Sequence, residues 1–170
     1  MISLVLPYPV SANRYWRHGL LQSKHGKPHP VTFLTPEAKE YRYAVSLIAR
    51  RAGLVQPYDC RVSLDIRLYP HRPQDWQARQ RKLGALWDDT VQCIDLGNCE
   101  KVLADALQGV IYTDDRWIWD EHKRRMEPDG GEARVEITVQ PFHVEQPQQA
   151  SLLTSEPAVL SLRQLVAVPF

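Results

Sequence analysis

The chain reads as an α/β protein of α+β-like type: a mixed β-sheet in the order strand, helix, strand, helix, strand, strand, with the helices packed on the sheet. Three observations predict this. Cys60–Tyr69, CRVSLDIRLY, sets Val62, Leu64, Ile66 and Leu68 against Arg61, Ser63, Asp65 and Arg67, the period of a strand with one buried face. Two other stretches, after Thr35-Pro36 and after Gly97, space their apolar residues as helices do. The 170 residues, 44% of them hydrophobic, suffice for one core without disulfides or a structural metal.

In order, Ile2–Leu6 (ISLVL) is an apolar run halted by Pro7 and Pro9, a buried strand ending in a turn. Ser11 to Pro30 has no clear period and reads as a long loop. It opens SANRYWRH, cations interleaved with aromatics: the arginines suit phosphates, and Tyr15 and Trp16 either stack on bases or anchor the loop to the core. Thr35-Pro36-Glu37-Ala38 is a helix start, with Thr35 as cap and Pro36 at the first position. That helix is expected to reach about Ala52, burying Tyr41, Ala44, Val45, Leu47, Ile48 and Ala52, before Gly53 stops it.

After the Cys60–Tyr69 strand, Pro70 to Thr90 carries no periodic element and reads as an excursion. A helix from about Asn98 to Gln108 follows, with Cys99, Val102, Leu103, Ala106 and Leu107 on one face and Asn98, Lys101 and Asp105 on another. Gly109 ends it. Trp117–Arg125 reads as a strand, and Ala133–Val139 as the second arm of a hairpin around Pro128–Gly131. The domain is expected to span 1–141, with 142–170 a linker and a mobile or partner-bound tail.

No run of about 18 apolar residues is present, so no membrane span is expected. The N-terminus lacks a basic n-region, and Cys60, Cys93 and Cys99 form no CxxC pair. Both predict a cytoplasmic protein with reduced thiols rather than a zinc protein. His25 and His29 have H-x-x-x-H spacing, but in a Gly- and Pro-broken loop that spacing does not place both on one helical face.

The net charge of +1 hides an asymmetry. Met1–Pro36 has no acid but holds Arg14, Arg17, Lys24 and Lys27. Asp88–Asp120 holds Asp88, Asp89, Asp95, Glu100, Asp105, Asp114, Asp115 and Asp120 against only Lys101 and Arg116. A basic segment beside an acidic one suits a protein that grips a polyanion while divalent ions neutralise its acids, and it equally describes an unevenly charged surface. The acids cluster around the second helix, with Asp95 at its mouth and Asp114-Asp115 past its end. One reading is divalent-metal phosphodiester chemistry with Lys101 facing a phosphate. The other is structural: Asp95 or Asn98 caps the helix, Lys101 pairs with Asp105 at i,i+4, and Asp114-Asp115 is a polar turn.

LPYPVSANRYWRH near the start and DLGNCEKVLADALQGVIYTDD in the middle resemble the RusA-type Holliday junction resolvases of bacteria and their phages. The resemblance runs from about Met1 to Pro141, leaving the 70–93 excursion and the tail outside it. It implies a homodimeric, Mg²⁺- or Mn²⁺-dependent endodeoxyribonuclease that nicks four-way DNA junctions in recombination and repair. Asp95 and Asn98 match the first and last residues of the family's D-L-D-N motif, Lys101 its catalytic lysine, and Asp115 its later metal-binding aspartate, with Asp114 beside it. Asp95, Lys101 and Asp115 are thus the implied catalytic residues, with Asp95, Asp115 and Asp114 toward the metal and Asn98 in support. Asn13, Arg14, Arg17, Lys24 and Lys27 are expected to hold DNA. Gly97 departs from the pattern, standing where the second motif aspartate belongs. Either Asp95 and Asp115 suffice with Asp114 and water, or Asp88 or Asp89 supplies the missing oxygen, or the protein binds junctions and cuts them poorly.

Overall fold

Residues 1–22 and 26–143 are described by the computed structural model. Lys24, His25 and the 144–170 part of the expected linker and tail lie outside the described residues. A four-stranded sheet in the order β1-β6-β4-β5 is built from β1 (Ile2–Pro7), β4 (Val62–Tyr69), β5 (Ile118–Arg125) and β6 (Arg134–Pro141). β6 runs antiparallel to both β1 and β4, whereas β5 is parallel to β4. The sheet is therefore mixed, as the patterning predicts.

The inward side chains Leu4, Leu6, Val62, Leu64, Ile66, Leu68, Val135, Ile137 and Val139 are buried on one face. Two long helices cover them, α2 (Pro36–Arg51) and α4 (Leu96–Leu107). α2 starts where expected: the Thr35 hydroxyl accepts the Ala38 N–H at 3.2 Å, and Pro36 occupies the first turn. Its buried stripe is Ala38, Tyr41, Val45 and Ala49, while Leu47 and Ala52 are exposed. The expected α2 face is thus corrected by about one position, because the 38-41-45-49 spacing follows the helical period more closely. All five residues expected on the apolar face of α4 are buried.

Three further expectations change. The Ser11–Pro30 loop contains a single helical turn, α1 (Ala12–Tyr15), and a hairpin of β2 (Trp16–Leu21) and β3 (His29–Leu34). No residue of this hairpin is fully buried, and its half-buried positions, Trp16, Gly19, Val31 and Leu34, fall three apart within each strand, so it shows no period of two. The excursion contains α3 (Trp76–Leu83) and a 3-10 turn over Gly84–Thr90. α3 buries no residue of its own, which is why no apolar period marks it.

Finally, β5 and β6 are not hairpin partners. β5 is an edge strand, and its charged end His122-Lys123-Arg124-Arg125 suits an edge. Residues 126–133 cross the end of β4, with the Met126 N–H donating to the Leu68 carbonyl at 2.9 Å, and β6 enters between β1 and β4. Alternation reports which face a strand buries, not which neighbour it pairs with. Among the described residues no helix is long and apolar enough to cross a membrane.

Candidate active site

Asp95 is fixed by what precedes and follows it. The Ile94 N–H donates to Tyr8 Oη at 3.0 Å, and Tyr8 Oη donates to Cys93 Sγ at 3.4 Å, tying this turn to the residue after β1. Burial, aided by the Cys93 thiol, pushes the Tyr8 phenol far above its ordinary range. Asp95 then caps α4: its Oδ1 accepts the Asn98 N–H at 2.7 Å, and the Asn98 side-chain amide donates to Oδ2. The capping role is therefore real, and Asn98 is its partner.

Lys101 is exposed one turn further on and has no ion pair among the described residues. The i,i+4 pairing with Asp105 does not form. Asp105 instead accepts from Tyr15 Oη at 2.6 Å and pairs with Arg42 at 3.4 Å. Tyr15 is fully buried, and burial, then the Asp105 carboxylate, pushes its phenol far above the ordinary range. Of the two aromatics at the segment start, Tyr15 anchors. Trp16, edge-on to Tyr15 with ring centres 4.6 Å apart, remains half-buried.

The anchor brings the basic segment against α4. Asn98 and Lys101 share an open groove of about 480 Å³ with Asn13, Trp16, His18 and Thr32. His18 Nδ1 lies 2.9 Å from Thr32 Oγ1 across the hairpin. Beside it, Asn13, Arg14 and Arg17 line a second hollow of about 310 Å³ with the start of α2, where Arg14 pairs with Glu37 at 2.8 Å. Arg17 and Lys27 are exposed. The sequence alone did not single out Trp16, His18 and Thr32 as walls of a groove with Lys101, because nothing local signals the hairpin that places them.

Asp114 and Asp115 lie at the other end of α4. Tyr112 Oη donates to the Ala104 carbonyl at 3.1 Å, and the Gly109 N–H donates to the Tyr112 carbonyl at 2.7 Å, folding this connection against the C-terminal end of the helix. Asp114 caps a 3-10 turn over Asp115–Trp117, its Oδ1 accepting the Arg116 N–H at 3.0 Å. Asp115 is exposed. Asp88 and Asp89 sit in the Gly84–Thr90 turn, where the Asp88 carbonyl accepts from Arg125 at 2.8 Å.

Two acids that motif reading passed over meet on the β5 side of α4. Glu121 faces the helix, and one of its carboxylate oxygens is buried with no donor among the described residues. Burial, then the neighbouring Glu100 charge, pushes its pKa up. Lys123 pairs with Glu100. Parity along β5 marks Glu121 as helix-facing only once its alignment with Leu64 is known.

Divalent ions of the Mg²⁺ class take several oxygen ligands at once. Among the described residues no three acidic, histidine or cysteine side chains come together as such a set. Asp95 and Asp115 belong to no such set of three among the described residues, and neither Asp88 nor Asp89 completes one.

The family described as Endodeoxyribonuclease RusA matches residues 7–140. The crossover junction endodeoxyribonuclease RusA of Escherichia coli (strain K12) is 30% identical over 142 residues, covering 81% of this chain and 92% of that protein. The protein of the same name from Shigella sonnei (strain Ss046) shows the same identity and coverage. With that match running from the end of β1 to the end of β6, the chain belongs to the RusA endodeoxyribonuclease family.

Proposed function

We propose that this protein is an endodeoxyribonuclease that resolves four-way DNA junctions in recombination and repair. Membership in the family supports a nuclease acting on DNA. The observation that carries the reading further is the groove that sets Asn98 and Lys101 against Asn13, Trp16 and His18. A cation without a carboxylate partner among the described residues, facing aromatic and amide groups, suits a phosphodiester strand. Lys101 would offset charge on the scissile phosphate or its leaving oxygen. Asn13, Arg14, Arg17, Lys24 and Lys27 would hold flanking backbone, with a steep salt dependence.

The reading includes dependence on Mg²⁺ or Mn²⁺, with Asp95, Asp115 and Asp114 as the acids toward the ion and Asn98 orienting Asp95. It also includes a homodimer, whose two-fold matches the near-two-fold junction. Incubation of the purified protein with a synthetic four-way junction and Mg²⁺ or Mn²⁺ should yield paired nicks, with linear duplex left whole. An intact junction under both ions would sink the reading.

A second reading, a junction-binding protein that cuts weakly, is favoured by Gly97 and by the lack of a three-acid set among the described residues. It predicts junction affinity with little cleavage in the same assay.

A further inference from the structure

We infer that a hollow walled by the 70–93 excursion takes one unpaired base of the junction strand near the cut, with Gln92 and His71 contacting that base. This rests on the reading above, in which the strand is held at Asp95 and Lys101. The excursion lies outside the family resemblance, which therefore assigns the hollow no role.

The hollow measures about 740 Å³, and Tyr8, His71, Arg79, Gln92, Cys93 and Ile94 are among its walls. Pockets of about 300–1,000 Å³ hold small-molecule ligands, so there is room for a nucleotide. Its place decides which ligand. The same two chain segments line this hollow and the Lys101 groove: Tyr8 and Ile94 border the hollow, Asn13 and Asn98 the groove. Asp95 stands between Ile94 and Asn98, capping α4. Four residues of chain reach at most about 14 Å, the rise of about four stacked nucleotides. A strand whose phosphate lies at Asp95 and Lys101 therefore has the hollow within a few nucleotides.

The chemistry of the two sites differs. Lys101 gives the groove a cation without a carboxylate partner among the described residues. In the hollow, Arg79 is already engaged, its Nε donating to Asp75 at 2.9 Å and its Nη1 to the Thr90 carbonyl at 2.9 Å. That matched charge does not favour a phosphate. Tyr8, His71 and Ile94 supply aromatic and apolar surface, and Gln92 an exposed amide. Stacking surface accepts any base, and amides read base edges.

The wall is also fixed. Trp87 is buried, with its indole N–H donating to Glu127 at 2.9 Å. Arg125 donates to the Asp88 and Val91 carbonyls at 2.8 and 2.7 Å, fastening the end of the excursion to β5. A hollow formed in advance loses little freedom on filling. A branch point supplies the occupant. Pairs that flank it lack a stacking neighbour, which lowers the cost of taking a base out of the stack.

The test measures binding of full-length protein to four-way junctions in EDTA, where no metal-dependent cutting occurs. Single abasic sites are placed, on both opposed strands, at each position within about four nucleotides of the crossover. Removing the base at one position should weaken parental binding about tenfold, the scale of one stacked base. In Gln92→Ala the same removal should matter about threefold or less, because the contact is already lost. In Lys101→Ala overall affinity should fall while the abasic penalty persists. Should Gln92→Ala fail to fold, His71→Ala, another exposed wall residue, carries the same comparison. A parental protein indifferent to every abasic site overturns the inference. So does a penalty that survives in the hollow variant, or one that vanishes in Lys101→Ala, which would put the base in the groove. In each of these cases the protein still binds junctions and the functional reading stands. A parent that binds no junction sinks that reading, and the inference with it.

Discussion

Tyr15 donates a 2.6 Å hydrogen bond to Asp105 across 90 residues of sequence, and this bond sets the basic segment against α4. Thr35 reinforces it from the other side, accepting nothing from Tyr15 but donating its hydroxyl to the Arg14 carbonyl at 2.8 Å, while its N–H donates to the Tyr15 carbonyl at 3.1 Å. Tyr15→Phe keeps the buried ring but leaves the half-buried Asp105 with Arg42 alone. Loss of a hydrogen bond to a charged acceptor should cost about 1.5–3 kcal/mol in urea unfolding. Junction affinity should weaken too, because Asn13 and Trp16 lose their register with Lys101. Unchanged stability would mean that Arg42 alone satisfies the carboxylate.

Lys101→Ala should separate chemistry from binding. The side chain is exposed and supports no packing, so the melting temperature should stay at the parental value. Removing one cation from a phosphate should lower the cleavage rate about a hundredfold, the scale of a single transition-state charge contact. Binding should weaken modestly, with the salt slope falling by about one. Equal losses in cleavage and binding would instead make Lys101 an ordinary backbone contact.

Asp95 performs two tasks that substitution can split. Asp95→Ala removes the acceptor for the Asn98 N–H and should cost about 1 kcal/mol of stability. Asp95→Asn keeps a capping oxygen and should cost little. Both should abolish nicking if the carboxylate charge is what the reaction uses. Cleavage by the Asn variant at the parental rate would reduce Asp95 to a cap.

What was legible in the sequence follows from where each signal resides. The β4 alternation and the α4 apolar stripe are local consequences of burial on one side, and both elements stand where the patterning puts them. The Thr35-Pro36 start is likewise a backbone requirement written in two residues. The β5–β6 relationship was illegible because strand pairing depends on distant partners. β6 pairs with strands that begin more than a hundred and about seventy residues earlier, not with its sequence neighbour. The groove was half legible. Asn98 and Lys101 are one helical turn apart, but Asn13 joins them only through the contact of Tyr15 with Asp105.

Gly97 is open to repair. Its backbone is helical rather than left-handed, and a Cβ there would meet only Asp95 Oδ1, at the ordinary contact distance of 3.4 Å. Gly97→Asp should therefore fold. Replacing a helical glycine with aspartate should add only about 0.3 kcal/mol of helix propensity, and a negative charge in the first turn favours the helix dipole. Repulsion from Asp95 offsets part of that gain until a divalent ion binds between them. Tighter Mn²⁺ binding by calorimetry, with faster junction cleavage, is the expected result. Unchanged metal affinity would mean that the parental ligand set does not use this position.

Glu121 should make stability depend on pH in a direction opposite to that of a salt-bridged acid. Burial is the main cause raising its folded-state pKa above the ordinary value of 4.5, followed by the nearby Glu100 charge, while Lys123 opposes both. Protonated, Glu121 can donate to the Glu100 carboxylate and relieve its buried oxygen of the missing partner. Ionised, it sits beside a like charge. Between 4.5 and the raised value the folded state holds more protons than the unfolded state, so stability falls as pH rises through that window and then levels. Glu121→Gln mimics the protonated form. It should flatten this slope in urea midpoints measured from about pH 4 to about pH 8 and leave the protein more stable than the parent at the upper end. A parental slope that survives the substitution would place the titrating acid elsewhere. Because Glu121 faces the β5 side of α4 rather than the Lys101 groove, the substitution should leave junction binding at the parental level.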